Sequence, residues 1–150
     1  IAVRVFLEHP DLFDAAADHM AMLTADRLLP YVLSFVRIMT ALLLLQHGLS
    51  KFFGFPMPGN HPPALFSLYW FAGAIELLFG TLLLVGLFSR CAAFILSGHL
   101  AFAYFMGHAP NGFFPILNRG EPAVLFCFVF LILAFAGGGP ISIDAMRRKT

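Results

Sequence analysis

Ionisable side chains are few in this chain, and the ones most suited to chemistry stand inside long apolar runs. Arg37, Glu76 and His99 are the clearest cases. A charge in hydrocarbon is costly and normally faces a partner or a polar cavity. Arg37, Thr40, Ala41, Leu44, His47, Gly48 and Lys51 follow i, i+3, i+4 spacing and read as one stripe of polar and small side chains. Ala72, Glu76 and Gly80 share a second helical face, and Ala92, Leu96, His99 and Ala103 a third. At ~1.5 Å of rise per residue, Arg37 lies roughly 10 Å, His99 roughly 12–14 Å and Glu76 roughly 18 Å from a common end. This predicts an Arg37–Glu76 ion pair with His99 beside it. Such a cluster could be a clasp that locks the register of a bundle. It could equally carry a proton relay or touch a polar headgroup, so any catalytic role for Arg37, Glu76 and His99 stays open. His99 alone reads either as a hydrogen-bonded interior histidine or as a ligand contact.

A second constellation surrounds "LQHGLSKFFGF", residues 45–55. His47 and Lys51 end an apolar run, with Gln46 beside them. His61 follows in one loop, and His108, Asn111, Asn118, Arg119 and Glu121 in another. Phe52, Phe53, Phe55, Phe113 and Phe114 lie among them. Aromatic residues at a membrane interface, with Lys51 reaching water, would explain part of this pattern. Three imidazoles could bind zinc, copper or iron, but their spacing matches no ligand signature, and no metal site is assigned. A Phe-lined cleft for a planar quinone ring is the ligand-binding alternative, with His47, Lys51, His108, Asn111 and Glu121 as its candidate contacts. A plain polar cap is the third reading. Glu121 precedes Pro122 and also suits the first turn of a helix as a charged cap.

The elements that must position these residues follow from composition. The 150 residues are 60% hydrophobic and 11% charged, with nineteen phenylalanines, and mean hydropathy is +0.87. Soluble domains carry about 25% charged residues, so the chain reads as an integral membrane protein. Its formal net charge of +1 implies no nucleic-acid partner. A helix crossing the bilayer needs about 20 apolar residues. Segments 31–49, 64–88, 91–107 and 122–137 meet or approach that length, the last being the shortest. The expected fold is all-α: an integral membrane four-helix bundle with an N-terminal amphipathic cytoplasmic helix. In that helix Leu12, Ala16, Met20 and Leu23 form one face, docked on a membrane surface or a protein partner, and Pro30 marks entry to the first span. Residues 1–30 thus form a cytoplasmic segment that does not read as a signal peptide, 31–144 the bundle and 145–150 a basic tail. After the fourth span "GGGPISID" breaks the helix, and Ser142 is placed to cap a short terminal turn.

Arg4, Arg27, Arg90, Arg147, Arg148 and Lys149 lie on the side of the termini, against Lys51 and Arg119 on the side of the long loops. The positive-inside rule then places both termini in the cytoplasm. Cys91 and Cys127 form no CxxC, which leaves no sequence case for a dithiol redox centre. No Rossmann fingerprint, P-loop, c-type haem motif or nucleophile elbow occurs, so no nucleotide or covalent haem cofactor is indicated.

An arginine early in the first span, "HGLSKFFGF", a central glutamate followed by "GLFSR", a histidine closing the third span, and a glutamate before a fourth span ending in "GGGPISID" occur in that order. This ordered set, over roughly residues 31–144, resembles the DoxX family of small four-helix bacterial membrane proteins. The positions that match the family's pattern are Arg37, Gly48, Lys51, Glu76, Gly86, Arg90, His108, Glu121, Gly139 and Asp144. The resemblance implies a bacterial inner-membrane protein, multi-pass, acting as a subunit or anchor of a quinone- or thiol/sulfur-linked redox complex. Related DoxD-type proteins form the membrane part of a thiosulfate:quinone oxidoreductase. It further implies a possible quinone cofactor and other membrane or soluble redox proteins as partners, with the lipid bilayer around them and a homo-oligomer possible. The alternative is a non-enzymatic scaffold or small-molecule-binding membrane protein in which the Arg–Glu clasp is structural. Whether the chain has enzymatic activity of its own stays open.

Overall fold

A computed structural model of the chain describes residues 10–58 and 62–148, with side chains from residue 18 onward. The described residues are helical, without strands. The first helix, α1 (Pro10–Phe53), is 44 residues long, roughly 66 Å at 1.5 Å per residue. It is followed by α2 (Leu68–Val85) and α3 (Ser89–Ala103). A π turn (Tyr104–His108) and a 3₁₀ turn (Ala109–Asn111) prolong α3. Next come a short α4 (Pro115–Asn118), α5 (Glu121–Ala136) and a terminal α6 (Ile143–Arg147).

Three of these are long and apolar enough to cross a membrane: α1 from residue 18, α2, and α3 with its extension to residue 111. The fourth, α5, is apolar but has 16 residues, about 24 Å against a hydrocarbon core of about 30 Å. Phe35, Leu78, Phe94, Leu125, Ile132 and Phe135 are all exposed on the helices. In a structure whose backbone is satisfied inside its helices, such an apolar exterior suits lipid.

The expected boundary at Pro30 is not a helix boundary. Instead α1 runs through it, with Pro30 in its interior. A proline removes one backbone donor, which a membrane helix tolerates when nearby groups compensate. The carbonyl that loses its donor is that of Asp26, one turn earlier, near the exposed start of the apolar stretch; Ser34 Oγ donates to the Pro30 carbonyl itself, at 3.3 Å. Met20 and Leu23 of the expected amphipathic face are exposed; the side chains of Leu12 and Ala16 lie outside the described residues.

The bundle is built from two closely packed pairs, α1 with α2 and α3 with α5, joined by a lighter contact between α2 and α3. In the first pair, Arg37, Ala41, Leu44 and Gly48 of α1 are buried facing Gly73, Glu76, Gly80 and Leu83 of α2. Small residues let the backbones approach: a Cβ at Gly48 would sit 2.8 Å from Leu77, and one at Gly73 2.7 Å from Phe52. The second pair buries Ala92, Ala93, Leu96 and Leu100 against Phe130 and Leu133. Ser97 Oγ donates across it to the Cys127 carbonyl at 2.9 Å. Both Cys91 and Cys127 are free thiols.

Two ends result. At one, the α2–α3 turn meets the "GGGPISID" segment. Gly86 closes α2 at φ 73°, and its N–H donates to Leu83 O. At the other, the connection from α3 to α5 folds around the buried Asn118.

Candidate functional site

At the loop end the last turn of α1 carries Lys51, and its side chain turns into the bundle. The Nζ atom lies 2.6 Å from Oε1 and 2.5 Å from Oε2 of Glu76. His99 Nε2 is 3.4 Å from the same Oε1. Side-chain exposure is 12% for Lys51, 5% for Glu76 and 7% for His99, so the cluster is largely shielded from solvent. Gly73, one turn before Glu76, makes room for the Lys51 stem: a Cβ there would lie 3.3 Å from Lys51 Cβ. The ammonium also lies 5.4 Å from the Tyr69 ring centroid, within range of a cation–π attraction.

This cluster forms the polar wall of a cleft of about 480 Å³ between α2 and α3. Leu68, Tyr69, Phe71, Ala72 and Ile75 line it from α2, and Phe102, Ala103, Met106, Gly107 and His108 from α3 and its π turn. Phe71, Phe102 and Met106 are exposed as well as lining, so the rim lies on the apolar exterior. A largely apolar cavity with a few convergent polar groups has the general form of a small-molecule site.

Arg37 takes no part in it, and the expected Arg37–Glu76 pair does not form. The guanidinium lies about two turns nearer the other end, where Nε donates to Gly138 O at 2.9 Å. Nη1 donates to the carbonyls of Leu83 and Leu84, and Nη2 to that of Ile141. The last carbonyls of a helix lack intrahelical partners and carry partial negative charge. A planar fork of donors fits that arrangement better than one carboxylate two turns away. Lys51 supplies the charge for Glu76 instead. The aligned spacing of Arg37 and Glu76 identified two buried charges correctly but paired them wrongly.

Other candidates separate. His47 is exposed on α1 while Gly48 holds the interior position. The stripe therefore runs Arg37, Ala41, Leu44, Gly48, Lys51. Asn111 is exposed, and its Nδ2 donates to Gly107 O at 3.4 Å, bracing the turn. Glu121 is an exposed first-turn acid of α5. His61 lies outside the described residues. Of the five expected ligand contacts, Lys51 and His108 line the cleft; His47, Asn111 and Glu121 do not. Among the described residues no three His, Cys, Asp or Glu side chains gather as a metal would require.

Tyr104 escaped the sequence reading. It is buried, and its hydroxyl donates to Phe113 O. Its signal was a tyrosine inside an apolar run, since a buried phenol usually finds a hydrogen-bond partner. Phe71 and Phe102, rather than the loop phenylalanines, supply the aromatic rim.

A profile of the DoxX family matches residues 32–109. The chain belongs to the DoxX family. An uncharacterised protein of Haemophilus influenzae is 43% identical over 120 residues, covering 77% of this chain and 90% of that protein. A second uncharacterised protein of the same organism is 30% identical over 95 residues, covering 63% of this chain and 62% of its own length. No solved structure matches. Every residue lining the α2–α3 cleft, from Lys51 to His108, falls within the segment that matches the DoxX profile.

Proposed function

We propose that this DoxX protein is a membrane subunit of a redox assembly and that its α2–α3 cleft holds a quinone. The observation that carries the reading is the burial of Lys51, Glu76 and His99 against an apolar cleft whose rim faces outward from the helices. Buried ionisable groups in a membrane protein are expensive and mark substrate or proton paths. A bound quinone would supply two-electron, two-proton redox chemistry, its electrons coming from a partner subunit that oxidises a thiol or a reduced sulfur compound. This chain does the holding. Phe71, Phe102 and Tyr69 offer ring faces. Lys51 offers a donor to a quinone oxygen, and Glu76 with His99 offers a route for protons. We place the chain in a bacterial inner membrane, and the excess of cationic residues toward the termini in the sequence, six against two toward the loops, supports cytoplasmic termini.

Native mass spectrometry on the protein, extracted gently from its own membranes, tests this directly. The expected result is a bound mass equal to the host's quinone, together with co-purifying redox subunits. A chain that carries lipids alone overturns the redox reading and favours a scaffold, in which the Lys51–Glu76 pair serves only the bundle.

A further inference from the structure

His108 enters the cleft wall on the π turn that ends α3. Single π turns in α-helices are frequent at functional sites, and this one is held from several directions. The His108 ring stacks on Tyr104, with centroids 6.4 Å apart and planes 16° from parallel. Its Nδ1 lies 3.1 Å from the backbone oxygen of Asn118. A carbonyl oxygen can only accept, so Nδ1 carries the hydrogen and the neutral ring keeps its lone pair on Nε2.

The carbonyl that sets this tautomer is itself fixed. Asn118 is buried, its Nδ2 donates to Gly112 O at 2.5 Å, and its Oδ1 accepts from Gly120 N at 2.8 Å. Gly120 has no room for a side chain, since a Cβ there would lie 2.6 Å from Asn118 Oδ1 and 2.7 Å from the Tyr104 ring. Beside the Lys51–Glu76–His99 cluster, whose ammonium is a donor and whose carboxylate is already engaged, the cleft therefore has a further acceptor in the His108 ring. The donor is largely satisfied by Glu76.

We propose that His108 Nε2 accepts a hydrogen bond from a hydroxyl of the bound molecule, so that the cleft favours the reduced, hydroquinone-type form over the quinone. The proposal rests on the quinone reading above. A quinone has only acceptor oxygens and leaves the Nε2 lone pair unpaired, whereas a hydroquinone satisfies it. Asn118 and Tyr104 are positioning residues that act through His108.

The test uses the full chain in lipid nanodiscs. The probes are a hydroquinone bearing one isoprenoid unit and the corresponding quinone, each titrated anaerobically. Wild type is expected to bind the hydroquinone more tightly. His108→Phe keeps a ring to stack on Tyr104 but lacks both nitrogens. It is expected to weaken hydroquinone binding about tenfold while changing quinone binding less than about twofold, the scale of one hydrogen bond. Asn118→Ala should reduce the same selectivity with His108 intact. A wild type without preference, or an equal loss for both probes, overturns the proposal and leaves the quinone reading standing. Wild type that binds neither probe overturns both. The imidazole ¹⁵N spectrum of ligand-free wild type gives a readout that needs no variant to fold. Protonation at Nδ1 supports the assignment, and a hydrogen on Nε2 with Nδ1 bare overturns it.

Discussion

A lysine near the end of a membrane helix ordinarily extends its stem along apolar surface and leaves its ammonium in water. Lys51 does the opposite because Glu76 lies within reach and Gly73 opens the path to it. With both side chains almost wholly buried, the attraction is screened little, but each charge depends on the other. Removing one partner of a buried pair leaves the other uncompensated, at a cost of about 3–5 kcal/mol. Lys51→Met is therefore expected to lower stability by up to about 3 kcal/mol, the residual exposure of Lys51 softening the penalty. The double variant Lys51→Met/Glu76→Gln should recover much of the loss. Thermal unfolding of wild type, Lys51→Met, Glu76→Gln and the double variant in one detergent gives the coupling, and a double variant no better than Lys51→Met would show that the pair is not a unit. Burial of Glu76 and His99 was legible from their place in apolar helical runs. The identity of the partner was not, because Lys51 and Arg37 lie on the same α1 stripe and only the three-dimensional offset of α1 against α2 selects between them.

At the scale of elements, the start of α3 shows how a helix end is completed from far away in sequence. Phe88, its N-cap residue, makes no side-chain capping bond. Asp144 of α6 supplies the missing acceptors: Oδ1 takes the Phe88 N–H at 2.9 Å and Oδ2 the Ser89 N–H at 2.7 Å. The Asp144 N–H in turn donates to Gly86 O at 2.9 Å. Burial disfavours the charge on Asp144, but the hydrogen bonds from Ser89 and Phe88 and the nearby Arg148 outweigh it and hold the pKa below the ordinary 3.8. A carboxylate with a depressed folded-state pKa stabilises above its unfolded value and loses that contribution as pH falls through the folded one. Stability should thus decline as the medium is acidified below about pH 4. Asp144→Asn should flatten that decline and lower stability at neutral pH by about 1 kcal/mol, the usual scale of a lost cap. Unfolding measured from pH 7 to pH 3 for both proteins checks the sign; parallel curves would place the acid sensitivity elsewhere. The sequence made Ser142 legible as a cap, and it does accept from Ala145 N at 3.2 Å. The role of Asp144 was not legible, since a cap supplied 55 residues away has no local signature.

For the molecule as a whole, the two ends divide the work. The end with the termini is tied tightly by polar contacts. Arg37 of α1 bonds the last carbonyls of α2 and the segment after α5, so one side chain joins three parts of the chain. The other end carries the cleft, between helices that meet more lightly. Arg37→Lys keeps the charge but not the planar fork, and several buried carbonyls would lose their donor. A loss of about 2–4 kcal/mol is expected, at roughly 1–3 kcal/mol per unsatisfied buried group with partial relaxation. Ligand binding in the cleft should be little changed wherever the variant remains folded. A thermal shift and a nanodisc titration on the same sample check both halves, and a binding loss equal to that of a cleft variant would show that the two ends are coupled.

Apolar length, helical period and the scarcity of charge determined by themselves that this chain is an all-α membrane protein, where its second, third and fourth long helices lie to within a few residues, and that Arg37, Glu76 and His99 are buried. Those properties are local: they depend on solvent and on a 3.6-residue period, both readable along one strand of sequence. The tertiary structure alone decided that Lys51 rather than Arg37 faces Glu76, that His47 turns outward, and that Tyr104 and Asn118 stand behind His108. Each of these depends on how far one helix slides and turns against another. That offset is set by glycines, caps and carbonyls on different elements acting together, and no single stretch of sequence carries it.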